Sequence, residues 1–350
     1  GARFWIPSDD EWYKAAYHQP AEKGGDPSNY WLFPTRSNEF PFPEEPPGFD
    51  GNAVNACCAT GRMATDVGAY VSSVSFYGTF DQAGNVVRAW GGPGAGYEWP
   101  ESEHGVFVDD TDAVWVAGNG NKDSQILKFT LEGKFLLQIG RSGQSKGSND
   151  TANLGSPADI NVDVAAREVY VADGYRNRRV IVFDSESGPY KPHWGAYGKP
   201  PSDAATPPYD PARPPSTQFG TPVHCVRLAK DGLLYVCDRT NDRFQVFRKD
   251  GTFVSEAFFE KDTRLNGSVS ELAFSPDREQ SLLYMVDGVN NEMRIVDRST
   301  NAIVGVVGPP GRFAGQFHVV HNVTVDAQGN VYTTEVNTGQ RVQKFRPVKN

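Results

Sequence analysis

At 350 residues the chain is long enough for a large core and for more than one module. Its 36 Gly, 25 Pro, 12% aromatics and three Met suit a turn-rich β protein, and a net charge of −9 with no basic cluster argues against nucleic acid as a partner. No stretch approaches the ~18 consecutive apolar residues of a spanning helix, so the sequence carries no membrane span.

The chain starts at Gly1 without Met and is patterned from the outset, so it reads as a fragment or processed product, with a preceding signal peptide left open. Residues Arg3 to Ala16 read as a helix start led by Pro7 and Ser8, with acidic residues in the first turn. Asn29-Tyr30-Trp31, a Pro-rich loop to Pro47 and the run Tyr77 to Val86 follow. Cys57 and Cys58 are adjacent and cannot easily pair with each other.

From about residue 100 the pattern changes to a strand–turn–strand array. Alternating apolar strands open at His104, Ala158, His224, Ser270 and His321, in steps of 54, 66, 46 and 51 residues, the period of propeller blades. Each is followed by a turn rich in Asp and Gly and a second strand: Val114 to Ala117, Tyr170 to Asp173, Tyr235 to Asp238, Tyr284 to Asp287 and Tyr332 to Glu335. Third strands follow at Ile126, Val180, Phe244, Arg294 and Val342, and weaker fourth strands close most units, as at Phe135 and Phe253. The predicted fold is mainly β: a propeller of five full blades plus a partial one, with a small irregular α+β segment before it. The boundary is placed at 79/80, and the hairpin Phe80 to Trp90 is the expected remnant of the opening blade of a six-bladed ring.

The opening slots read His–small–His–small–His in a chain with only six histidines. Alternate blades of a six-bladed ring share a rough three-fold axis, so His104, His224 and His321 should converge at one channel mouth as a three-His metal site requires. Tyr175, in a second-to-third strand loop, falls on the same face, where it could also simply cap the channel wall. Gly198 to Phe219, with seven prolines, crosses that face as a candidate stiff lid. If Lys230-Asp231-Gly232 is a three-residue hairpin loop, Cys225 faces Cys237, either as a cross-strand disulfide or as two buried thiols. Asp173, Asp238 and Asp287 read as structural, pairing with arginines such as Arg179 and Arg243. His318 could be a fourth ligand or a surface residue at a strand start; His18 and His193 are assigned nothing.

These units resemble NHL repeats, and Tyr170 to Val180 is similar to the lyase domain of peptidylglycine α-amidating enzymes, over about residues 80–350. The resemblance implies cleavage of a peptidyl-α-hydroxyglycine to an amide and glyoxylate. It also implies zinc on the three histidines, a structural calcium and Tyr175 as general base, in a secreted or periplasmic protein. A free phenol, with a pKa of about 10, needs positive charge nearby to act so; Arg176, Arg178, Arg179 and the metal are the candidates. Two departures stand out. The family's catalytic arginine belongs to the opening blade that this chain lacks, and the calcium-ligand aspartate after the third histidine is Asn322 here. Residues 1–90 are similar to the middle of a formylglycine-generating-enzyme domain without the section that carries its active-site cysteines. The expected ligand is a small carboxylate or a peptide-like molecule. The competing readings are a non-catalytic propeller that binds peptide or glycan, and a sugar-lactone hydrolase of the related type.

Overall fold

The computed structural model describes residues 90–337, 339 and 341–348, with short pieces at 3–4, 19, 21–23, 27–28, 42–43 and 53–54. The expected N-terminal helix start beyond Phe4, Cys57, Cys58, His18 and the Phe80 end of the opening hairpin lie outside the described residues, as does nearly all of the segment resembling the formylglycine-generating enzyme. The chain divides into two compact units, one of 90–312 with 316–341, the other of 1–89 with 313–315 and 342–350. In the smaller, Arg3–Phe4 pairs antiparallel with Pro347–Val348 and Phe42–Pro43 pairs parallel with Ala53–Val54.

The larger unit is a propeller of five blades. Blade I runs through Glu103–Val108, Val114–Gly118, Gln125–Phe129 and Phe135–Gly140. Blade II has Asp159–Asp163, Glu168–Asp173, Arg179–Asp184 and Tyr190–Trp194, and blade III has Val223–Leu228, Leu233–Asp238, Arg243–Arg248 and Phe253–Phe258. Blade IV has Glu271–Phe274, Leu282–Asp287, Glu292–Asp297 and Ile303–Val307; blade V opens with Val320–Val325 and Val331–Glu335. The third strand expected at Val342 is present as Val342–Phe345, within the smaller unit. Five blades, rather than the six that the three-fold argument called for, are seen among the described residues.

The middle strands are buried on both faces because each lies between two blades. In blade II, Val169, Val171, Ile181 and Phe183 pack with Trp115 and Ile126 of blade I. The intervening Tyr170, Ala172, Val180 and Val182 pack with Val226, Leu234 and Phe247 of blade III. The period of two thus divides one apolar strand between two neighbours. Turns are tied by aspartates. Asp109 Oδ1 accepts from Thr111 N at 2.9 Å and Ala113 N at 3.1 Å, while its Oδ2 accepts from Trp115 Nε1 at 2.9 Å. The hairpin at Lys230–Gly232 forms as expected: Ala229 N donates to Leu233 O at 2.8 Å, and Gly232 takes φ +81°, a conformation that favours glycine. Cys225 accordingly pairs with Cys237 across the strands, and the two are bonded as a disulfide with a Cα–Cα distance of 4.8 Å.

Buried ion pairs staple each later blade to the loop that precedes it. Arg179, wholly buried, donates through Nε to Asp173 Oδ2 at 2.8 Å and through its other nitrogens to the carbonyls of Ser148, Asp150 and Asn153. Arg243 does the same to Asp238 at 2.8 Å and to the carbonyls of Ser216 and Gln218, and Arg341 to Glu335 at 2.7 Å. Arg294 pairs with Asp287 at 2.6 Å in blade IV. The structural reading of these aspartates therefore holds.

The proline-rich segment 198–219 is part of this stapling and is no lid over the channel. Ser148 N donates to Asp203 at 3.0 Å, Arg178 Nη1 to Ala204 O at 2.6 Å and Tyr209 Oη to Lys261 O at 2.9 Å. Its residues line a separate cavity of about 400 Å³ beside Asn241 and Phe258. Below it Asp242, fully buried, accepts from Ser268 N at 2.7 Å, and burial pushes its carboxyl up to about 7. A carboxyl raised in the fold stabilises while protonated, so this contribution is full below the unfolded value of about 3.9 and is lost as pH rises through 7. Urea titrations of the wild type and Asp242→Asn should therefore agree best near pH 3.5 and diverge toward pH 8, with the variant the more stable there; a constant difference across that range would refute this.

Candidate metal centre

His104, His224 and His321 are each the second residue of the inner strand of blades I, III and V. At each of them the pairing with the second strand slips by one residue. The register jumps between Glu103 and Val106, between Val223 and Cys225 and between Val320 and Asn322. The inner strands of blades II and IV begin directly after the small residues Ala158 and Ser270 of the slot and pair without a slip. A β-bulge leaves one residue unpaired, sharpens the local twist and re-aims its side chain. Here it turns each imidazole to a common point.

Two imidazoles are fixed by carbonyls of the intervening blades. His104 Nδ1 lies 2.7 Å from Ala158 O and His224 Nδ1 2.6 Å from Ser270 O. A carbonyl only accepts, so both Nδ1 atoms carry the proton and both Nε2 lone pairs face the cluster. His224 Nε2 is 3.2 Å from His321 Nε2, near the roughly 3.3 Å spanned by two nitrogens each about 2.0–2.1 Å from one tetrahedral zinc. The three ligand atoms all lie within 4.8 Å of one another, and the donor set fits a divalent metal of zinc type. Burial drives all three imidazoles toward the neutral form. His224 is pushed well below its ordinary value and His321 down to about 3, with the neighbouring imidazoles and Arg239 adding to the effect; His104 is lowered as well.

Tyr175 joins the cluster. Its Oη is 2.9 Å from His104 Nε2 and 3.2 Å from His224 Nε2. The cation beside it is Arg239, which the sequence reading did not single out. The Arg239 guanidinium lies 5.9 Å from the centre of the Tyr175 ring, is buried, and holds an Nε without a hydrogen-bond partner. Burial lowers its pKa, opposed by the Tyr175 phenol. Arg176 and Arg178, expected to activate Tyr175, are used elsewhere: Arg176 donates to Asn121 O and Arg178 to Ala204 O and Gln218. Both side chains point out toward neighbouring loops, where their long stems find carbonyl partners.

His104, Tyr175, Arg239 and His321 line one cavity of about 480 Å³ together with Asn119 and Asn266. Asn322 follows His321, opposite Thr334 in the pairing. Among the described residues no carboxylate-rich cluster of the kind calcium takes is present. His318 donates its backbone N–H to Glu335 at 3.1 Å, and His193 meets Tyr190 at 2.8 Å on the outer strand of blade II.

No protein-family model matches the chain. It is 27% identical over 255 residues to peptidyl-glycine alpha-amidating monooxygenase B of Xenopus laevis, a match that covers 70% of this chain and 26% of that protein. It is 27% identical over 270 residues to peptidyl-alpha-hydroxyglycine alpha-amidating lyase 1 of Drosophila melanogaster, covering 71% of this chain and 46% of that one. With NHL repeat-containing protein 3 of Homo sapiens the identity is 25% over 292 residues, covering 77% and 72%. The chain is a β-propeller that resembles the amidating lyases and NHL-repeat proteins. It spans about a quarter of the length of the amidating monooxygenase and under half that of the Drosophila lyase. Among the described residues no helix is long and apolar enough to cross a membrane.

Proposed function

We propose that this propeller is a zinc-dependent lyase that cleaves a peptidyl-α-hydroxyglycine, or a related α-hydroxy-amido acid, to an amide and glyoxylate. The observation that carries this reading is the convergence of three bulge-aimed imidazoles, two of them within hydrogen-bond distance of the Tyr175 hydroxyl. Bound zinc would supply Lewis-acid polarisation of the substrate's hydroxyl oxygen. Tyr175, as phenolate, takes the proton from that hydroxyl. The electron pair released becomes the carbonyl of glyoxylate, the C–N bond breaks, and the amide nitrogen takes up a proton. Arg239, which lines the cavity beside Tyr175, pairs with the substrate carboxylate and holds the C–N bond in place. The disulfide supports folding in an oxidising compartment, in keeping with a secreted protein.

The test is glyoxylate release from N-benzoyl-α-hydroxyglycine. Loss of a positioned general base typically costs about 10²–10⁴ in rate, so Tyr175→Phe should lower kcat by that factor with KM little changed. Release by the wild type that is unchanged in Tyr175→Phe would sink the assignment of the base. A zinc-loaded wild type with no release would leave a propeller that binds ligands without turning them over.

A further inference from the structure

Arg227 lies on the inner strand of blade III, three residues beyond His224, and its guanidinium bridges acids from the two flanking blades. Nη1 donates to Asp159 of blade II, and Nη2 lies 3.2 Å from Glu271 Oε2 of blade IV. Both acids are buried, at 2% and 1% exposure. Asp159 Oδ2 also accepts from Val226 N at 2.9 Å, and Glu271 Oε1 from Leu272 N at 3.0 Å. Taking one cation and two carboxylates out of water is costly, and a buried ionic cluster of this kind is weak evidence for stability in itself. Its placement is more telling. Asp159 directly follows Ala158, whose carbonyl fixes His104, and Glu271 directly follows Ser270, whose carbonyl fixes His224. A carbonyl and the next Cα share one rigid peptide plane, so anchoring each acid sets the direction of the carbonyl before it. The fit leaves no slack at His104: a side chain on Gly105 would come within 2.6 Å of Ala158 O and 3.0 Å of the Asp159 Cα.

We propose that Arg227 is a positioning residue for the three-histidine centre, clamping Asp159 and Glu271 so that the carbonyls of Ala158 and Ser270 hold His104 and His224 with Nε2 turned inward. This rests on the reading of the three histidines as a metal centre.

The test compares zinc affinity, by competition with a chelator, in the wild type, Arg227→Met, Arg227→Lys and the charge-free triple variant Asp159→Asn/Arg227→Met/Glu271→Gln. Arg298→Met is the control. It removes an arginine that reaches from blade IV to blade III, to a half-exposed Asp231 and the Tyr235 hydroxyl, away from the histidines. Partners that orient a ligand typically contribute ten- to a hundredfold in metal affinity, so Arg227→Met should raise the zinc Kd by that factor. Arg227→Lys, which reaches one acid only, should fall between, and Arg298→Met should match the wild type. If Arg227→Met does not fold, the triple variant, which buries no bare charge, gives the answer. A zinc Kd within about twofold of wild type in both Arg227→Met and the triple variant would overturn the clamp. If the wild type itself takes up no zinc, the metal reading fails on its own, and the clamp is judged on metal-free protein from the imidazole ¹H–¹⁵N spectrum. His104 and His224 should then be Nδ1–H tautomers in the wild type and mixtures in Arg227→Met; the same tautomers in both would refute it.

Discussion

His224→Ala protein should emerge from purification with less than about a tenth of the zinc that the wild-type chain carries, where the wild type holds close to one ion per chain by elemental mass spectrometry. A zinc site is worth roughly 10–16 kcal/mol in total, so one ligand among a few accounts for roughly 3–4 kcal/mol, some hundred- to thousandfold in affinity. His224 is the most consequential of the three. It is almost wholly buried, its Nδ1 is fixed by Ser270 O, and its Nε2 faces both His321 and Tyr175. An alanine there leaves two imidazoles and a phenol around a hole that water cannot shape into a tetrahedral set. His193→Ala, on the outer edge of blade II, should keep full metal content and separates loss of a ligand from a general effect of removing histidine. Wild-type protein without metal, or His224→Ala protein that retains it, would overturn the centre.

The largest effect on stability should come from Arg243→Met. The guanidinium has no exposure, and every one of its nitrogens is engaged: Nε with Asp238 at 2.8 Å, Nη1 with Tyr197 Oη at 2.8 Å and Glu256 at 3.1 Å, Nη2 with Ser216 O at 2.8 Å. Methionine matches the stem but strands the Asp238 carboxylate in a site without water. Breaking such a pair costs about 3–5 kcal/mol, a large share of the roughly 5–15 kcal/mol that holds a typical domain together. Urea unfolding should show the midpoint fall accordingly. Asp238→Asn/Arg243→Met should be less destabilised than Arg243→Met alone, because the stranded charge is gone. A double variant as unstable as the sum of its parts would mean that packing, not charge, sets the cost.

Much of this architecture was legible beforehand. The five second strands, the aspartates at their ends and the arginines that meet them follow from a repeat whose spacing is kept even where its residues vary. The shared slot of His104, His224 and His321 was visible for the same reason. What escaped notice was Arg239. It follows Asp238 as Tyr175 follows Asp173-Gly174, in the corresponding loop of the next blade, and the topology that returns Tyr175 to the histidine face returns Arg239 there too. Arg176 and Arg178 drew attention by adjacency to Tyr175, yet consecutive loop residues point in different directions. The β-bulges had no sequence signal, since the register jump in each inner strand falls at the histidine itself. The proline-rich segment reads as a stiff lid from its length and prolines alone, whereas Arg178, Arg243 and Lys261 tether it to neighbouring loops.

Propellers are usually regarded as modular, with blades added or lost in the course of descent at little cost to their neighbours. The two carbonyls from blades II and IV change that for this chain. Blades I, III and V carry the imidazoles, but the blades between them, which supply no histidine to the cluster, dictate how His104 and His224 are turned. No blade is spare. A duplication or deletion of any one would shift the parity on which the alternation of histidine and small residue depends, and the three imidazoles would no longer meet.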